Sequence, residues 1–453
     1  MKCLPAAKIP QAQGNVLHDW HAEVLAIRAF NRFVLDECKA MAQGRPSEFL
    51  RWRTTDEMDS GCYGNSKSEE LEGQTSEWCG QPFSWREDVF IHMYCSEAPC
   101  GDASMELIMD AQEDATPWEL PPTALSTPLS TSTAEPSPSP SLPGRAYFSH
   151  LGVVRRKPAR SDAPPTLSKS CSDKLALRQC TSLLASATAL LVDPHHAYIR
   201  TLVLPASRYS EPACRRSFSA SPTRGRMRSL ASSTIAAEQG RDPGQNQIQA
   251  EKAAESPYRF RPFAVETTTS EFAYSQRTVT NANANANASV SGGNEHGSSS
   301  NSSSSSSSKP GAQKAAAASN VSAAWTRSGL EETTLGGILQ GRKQSGADAR
   351  GASFASRRRM WGLAVEVADI LLSSRQGEDG EERERKRERE GGEERHDDSS
   401  GRIAEIKRAL EAETYGGMKG CELLEPRRRA KDKARAEALK GWVRNLGDES
   451  FTL

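Results

Sequence analysis

Nowhere does this sequence hold about 18 consecutive apolar residues, so no membrane-spanning helix is expected. Its opening, MKCLPAAKIPQAQ, lacks the apolar centre of a secretory signal. These two absences point to an intracellular protein, nuclear or cytoplasmic, that is not secreted. Aromatic residues are scarce, at 6%, and hydrophobic residues reach only 36%. A chain of 453 residues could fill two or three domains, but this apolar content supports a single core diluted by stretches that cannot bury one. Ten cysteines without regular spacing argue against a disulfide scaffold and suit a reducing compartment. Net charge is missing too, since 58 basic side chains meet 58 acidic ones.

The charge that is present is unevenly spread. Residues 46–144 carry 18 acidic and 4 basic side chains, and residues 145–228 carry 15 basic and 4 acidic ones. Such an excess can form a face for a polyanion. Charge alone favours the plainer reading, a basic surface loop balanced by an acidic one. Four stretches read as insertions. They are the Pro/Ser/Thr-rich 115–144, the polar 230–256, the Asn/Ala/Ser low-complexity 279–318 and the charged 376–400. The polar tract 40–84 reads as a fifth.

The remaining blocks show helix and strand signals. AEVLAIRAFNRFVLDECKA (22–40) places Val24, Ile27, Phe30 and Val34 at helical spacing. DVFIHMYCS (88–96) is short and rich in β-formers, which predicts a buried strand. AYIRTLVLP (197–205) predicts a second strand, and residues 356–372 and 430–443 predict further helices. Strands alternating with helices imply an α/β layered domain.

Zinc in a hydrolytic site takes three protein ligands and one water. His21, at a helix start, can supply one imidazole. Glu23, two positions on, is then free to face the water and shuttle protons. Pro99-Cys100 also reads as a helix start, where the dipole favours a thiolate. The zinc-deaminase signature is H-x-E followed by P-C-x-x-C. PCGDA departs from it, because Ala103 stands where the second Cys would fall. Cys171, in SKSCSDKLALRQ, opens another expected helix beside Ser172 and Asp173 and is a candidate third ligand. Against this stands the plain alternative that a cysteine is a small buried hydrophobe and a lone histidine is structural. Spacing alone leaves Cys171 undecided.

GNVLHDWHAEVLAIRAFNRF, APCGDAS and SCSDKLALRQC resemble the tRNA-specific adenosine deaminase family of fungi and other eukaryotes, relatives of the deaminases acting on double-stranded RNA. GVVRRKPARSDAPPTLSKSCSDK, YIRTLVLPASRYSEPACRRSF, RFRPFAVETT, SNVSAAWTRSGLEETTLGGILQGRKQ and KGWVRNLGDESF agree with it in order. The resemblance implies a cytidine-deaminase-like α/β layered sandwich with a helical C-terminal extension, interrupted by disordered insertions. It implies hydrolytic deamination of adenosine to inosine at position 37 of alanine tRNA. His21, Cys100 and Cys171 match the zinc ligands and Glu23 the proton shuttle, the remote second Cys being a trait of this branch. Family members also bury inositol hexakisphosphate, and the matching positions are Arg28, Lys174, Ser186, Lys343, Tyr415, Lys419 and Trp442. Leu177 stands where relatives carry an Arg, and Arg178 is expected to point elsewhere. Lys2 matches a position near the RNA entrance. In the family a Gly-Thr-Gly segment, a helix and a strand precede the counterpart of MKCLP, so the resemblance implies truncation at the N-terminus. Two alternatives remain, a deaminase of another RNA or of cytidine and a non-catalytic RNA-binding remnant. The retained Glu23 speaks against the remnant. The implied partner is tRNA, and neither a membrane nor a protein partner follows.

Overall fold

The computed structural model describes residues 2–59, 78–111, 142–144, 148–157, 163–231, 256–275, 278, 319–343, 348–378 and 399–453. In chain order the first half contains α1 (Ala22–Ala42), β1 (Leu50–Trp52), α2 (Thr55–Asp59), β2 (Phe83–Trp85), β3 (Ile91–Tyr94), α3 (Met105–Met109), β4 (Leu142–Pro143), β5 (Arg155–Arg156), α4 (Cys171–Thr181), α5 (Ser186–Leu191), β6 (Val192–Asp193), β7 (Ile199–Pro205) and α6 (Glu211–Phe218). The second half contains β8 (Ala264–Thr268), β9 (Val321–Trp325), β10 (Glu331–Leu335), β11 (Ile338–Leu339), α7 (Arg357–Glu378), α8 (Ser399–Leu410), α9 (Tyr415–Gly420) and α10 (Glu425–Glu437). The fold is mixed α/β, with small sheets and several helices.

Three strands, β3, β7 and β8, run parallel, with β7 in the centre. A second sheet has the order β1-β2-β6, and β9, β10 and β11 form an antiparallel meander. The helices supply most of the core. Phe33, Val34, Leu35 and Cys38 of α1 pack with Phe83, Trp85, Leu190, Trp361, Val367, Ile406 and Leu410. Each such side chain contributes about 1.5–3 kcal/mol by leaving water. A second cluster joins Leu175 and Ala176 of α4 to Leu202 and Leu204 of β7 and to Cys214, Phe218, Ala434 and Leu439. A third packs Leu4, Ile9, Val16, Leu17 and Trp20 against Leu25, Ala324, Ile338 and Ala355. α1 thus touches all three clusters, which is why its first residue is held firmly in place. Among the described residues no helix is long and apolar enough to cross a membrane.

Several expectations need correction. The stretch 40–84 is not wholly an insertion, because Leu50 and Phe83 are core residues and β1 pairs with β2. Polar composition hid these three-residue strands. The tracts 60–77, 115–141, 232–255, 279–318 and 379–398 lie outside the described residues. β3 is not buried throughout, since His92 and Tyr94 are exposed while Ile91 and Met93 are half-buried. The last helix begins at Glu425 rather than at 430, because Pro426 suits the first turn of a helix. Among the described residues eight cysteines are free thiols, whereas Cys79 is disulfide-bonded.

Candidate metal centre and active site

Three turns meet at one point. His21 immediately precedes α1, and its backbone N–H donates to Asp19 Oδ1 at 3.0 Å. Cys171 is the first residue of α4, which Ser170 caps by accepting the Asp173 N–H at 3.1 Å. Cys100 precedes Gly101, at φ +108°, and the 3-10 turn Asp102–Ser104, which runs straight into α3 (Met105–Met109), so a short helical segment does begin just after it. Further support comes from α4, whose Cys171 N–H donates to Cys100 Sγ at 3.4 Å. Gly101 is required for this approach, since a Cβ there would lie 2.3 Å from Ser170 Oγ.

His21 Nδ1 lies 3.8 Å from each sulfur. The three ligand atoms all fall within 4.8 Å of one another, a grouping that could hold a metal ion. The Cys171 thiol donating toward Cys100, with Lys157 and His21 nearby, holds Cys100 well below the usual thiol range despite its burial. Burial and the adjacent Cys100 thiolate push Cys171 up. A second grouping, Cys3, Asp19 and His21, shares the same imidazole. Its carboxylate is already engaged. Asp19 Oδ2 accepts Lys157 Nζ at 2.9 Å, Ser168 Oγ at 2.6 Å and Lys174 Nζ. Lys157 also donates to Cys171 Sγ at 3.1 Å. Burial resists both charges of the pair, yet Lys157 and Lys174 hold Asp19 well below the carboxylate range, and Asp19 with the two sulfurs raises Lys157.

Lys157, Asp19 and Ser168 were missed as site residues in the sequence. Asp19 stands only two residues before His21, but nothing local says that it faces inward. Glu23 lies half-buried in the first turn of α1, and its charge acts on Cys171, Cys95 and Lys2. Lys2 donates to the Val321 carbonyl at 3.2 Å, and burial lowers its pKa while Glu23 opposes that.

The adenosine-deaminase (editase) domain family matches residues 1–220 of this chain. A relative named tRNA-specific adenosine deaminase 1, from Schizosaccharomyces pombe, is 35% identical over 277 residues, covering 61% of this chain and 56% of the relative. The protein of the same name from Saccharomyces cerevisiae is 28% identical over 213 residues, or 45% of this chain and 44% of its own length. Residues 1–220 are thus similar to the adenosine-deaminase (editase) domain, and the two relatives carry a matching name. The chain spans about half the length of these curated relatives.

The chain also gathers a basic cluster. Arg28 of α1, Arg178 of α4, Arg357 of α7, Lys419 of α9 and Arg427, Lys431 and Arg435 of α10 lie within one another's electrostatic reach. Burial, reinforced by Arg357, lowers Arg28 to about 10. Burial with Arg427 and Arg28 lowers Arg178 to about 9. Arg178 Nη1 donates to the Ser182 and Leu184 carbonyls at 3.3 and 3.0 Å. The buried Nε atoms of Arg427 and Arg435 have no hydrogen-bond partner. Tyr415 lies under Lys419, 5.6 Å from its ring centre, and stacks on Phe451 at 4.9 Å. Trp442 lies between Lys169 and Arg435, at 5.3 and 5.4 Å. Ser186 opens α5 and is half-buried. Lys343 is exposed in the turn after β11. The basic excess of residues 145–228 is thus partly spent inside, since Arg155, Lys157, Lys169 and Arg226 are all buried.

Proposed function

We propose that this chain is a zinc-dependent deaminase converting adenosine to inosine in tRNA, at position 37 of alanine tRNA. One observation carries the reading. His21, Cys100 and Cys171 converge inside an editase domain, with Glu23 two residues beyond the imidazole. The donor set fits zinc, for which one imidazole and two thiolates are ordinary ligands. Four-coordinate zinc would place such nitrogen and sulfur atoms roughly 3.6 Å apart, from bonds of about 2.0 and 2.3 Å, close to the 3.8 Å found here. When bound, zinc lowers the pKa of its water so that hydroxide is available near neutral pH.

The chain's own residues do the rest. Glu23 takes a proton from the attacking water, delivers it to N1 of adenine and assists departure of ammonia, so that adenosine and water give inosine and ammonia. Lys157, by donating to Cys171 Sγ, steadies that sulfur as an anion. A base in an anticodon loop leaves its stack at low cost, which suits a recessed site. Lys2 stands near Glu23 and is our candidate RNA contact at the entrance. The finer fold that we attach to this reading is the deaminase layered sandwich with helices α7–α10 as its C-terminal extension. Work on tRNA places the protein inside the cell, in nucleus or cytoplasm.

We also propose that the basic cluster binds inositol hexakisphosphate. Arg28, Arg178, Tyr415, Lys419 and Trp442 would hold its phosphates, with Arg427, Lys431 and Arg435 beside them. The unpartnered buried Nε atoms of Arg427 and Arg435, set among mutually repelling cations, support this reading. Lys174 would couple the cluster to Asp19, and Ser186 would adjoin it. Lys343, being exposed, fits this role least.

The test of catalysis is Glu23→Gln. Inosine formed in alanine tRNA reads as G on reverse transcription across position 37. The variant should lose the signal and retain its zinc. Full activity would remove Glu23 from the mechanism, and a non-catalytic RNA-binding chain would show no signal in the parent protein either.

A further inference from the structure

We propose that Arg216 and Arg226 form a clamp that sets the spacing of the two cysteine ligands; this rests on the metal reading above. The two cysteine turns share one design. Each sulfur-bearing residue is followed, two positions on, by a fully buried aspartate, Asp102 after Cys100 and Asp173 after Cys171. Each aspartate is gripped by an arginine from the same short segment. Arg216 Nε donates to Asp102 Oδ2 at 2.8 Å, and Arg226 Nη1 donates to Asp173 Oδ1 at 2.6 Å. The two arginines are tied together, for the Arg226 N–H donates to the Arg216 carbonyl at 3.1 Å.

Further bonds make the grip specific. Arg216 also donates to the Asp102 carbonyl at 3.2 Å and to Glu106. Arg226 also donates to the Ser172 carbonyl at 3.2 Å and to the Ser217 carbonyl at 2.8 Å. Ser217 Oγ completes the link by donating to Asp102 Oδ2 at 3.2 Å. Between the turns, Ser172 closes the gap. Its N–H donates to the Cys100 carbonyl at 3.0 Å, and its Oγ accepts the Ala103 N–H at 3.1 Å. The separation of Cys100 and Cys171 is therefore fixed from behind, by a segment that supplies no ligand itself. These arginines are positioning residues. Their fork geometry is the point, since it carries direction that a lysine ammonium lacks.

The experiment uses the full chain with Arg216→Lys, Arg226→Lys and the double variant, and Arg215→Lys as control. Arg215 is an exposed neighbour on α6 that pairs with Glu211. Zinc affinity is measured by competition with a chromogenic chelator, the visible spectrum is recorded on the cobalt-loaded protein, and melting is followed without metal. Each clamp variant should weaken zinc binding by roughly 10- to 100-fold and shift the cobalt bands. The control should match the parent. Clamp variants that melt lower but bind zinc with parental affinity, and keep the parental cobalt spectrum, would overturn the clamp alone. A parent chain that binds neither metal would overturn the metal reading, and the clamp with it.

Discussion

Two regions of this molecule bury charge in opposite ways. Around the ligand trio, buried cations meet anions: Lys157 and Lys174 meet Asp19, Arg226 meets Asp173 and Arg216 meets Asp102. In the basic cluster, Arg28, Arg178 and Arg427 donate to the carbonyls of Ala355, Ser182 and Leu184, and these cations and Lys431 repel one another. Removing a charge from water costs several kcal/mol, and a well-placed partner offsets that. The first region is complete within the protein. The second holds more cations than the carboxylates that meet them, Asp448 at Arg357, Glu449 at Lys419 and Asp432 at Arg435. Lys174 joins the two, sharing α4 with Arg178 while it bonds Asp19.

The sharpest way to break this contrast is to unbalance the first region. Asp19→Asn leaves Lys157 and Lys174 without their carboxylate. Loss of one partner from such a buried pair should cost about 3–5 kcal/mol. Chemical denaturation of the variant and parent measures it, and an unchanged midpoint would show that Asp19 is not the hub the geometry describes.

The next effect concerns the second region. A polyanion in thousandfold excess over its Kd should stabilise the chain by about 4 kcal/mol. Melting with and without inositol hexakisphosphate is the measurement. Arg178→Met should act in the opposite sense, raising the melting temperature without the polyanion and shrinking the polyanion's effect. A chain whose melting ignores the polyanion would end the comparison.

A smaller effect comes from the border between the regions. His18 Nε2 bonds Asp448 at 2.8 Å, and burial and Arg357 lower the imidazole to about 4. The unfolded chain, with the ordinary value of about 6.5, therefore takes up the proton first. The contribution is fully present above about pH 6.5 and is lost as pH falls through about 4. At pH 5 the loss should be roughly 2 kcal/mol. His18→Gln should flatten this part of the stability profile, and parallel profiles between pH 6.5 and 5 would show that the ring is not held neutral.

What was legible in the sequence was local. The spacing of Val24, Ile27, Phe30 and Val34 foretold α1, which runs from Ala22 to Ala42. Ser172 and Asp173 beside Cys171 foretold the start of α4, and Ile199–Pro205 forms the second expected strand. His21-x-Glu23 marked the candidate chemistry, because a helix start puts the two side chains near one point. The Leu50 and Phe83 strands were hidden, since three residues carry too little periodicity to stand out from a polar tract.

The sequence by itself determined the candidate ligand types, the helices that begin beside His21 and at Cys171, and the excess of basic residues before position 228. Only the tertiary structure decided that the α4 amide of Cys171 donates to Cys100 and that Arg216 and Arg226 reach Asp102 and Asp173. The reason is range. Backbone periodicity and capping act within a few residues, so they are written locally. A buried charge finds its partner across the fold, and no local pattern records which partner it is.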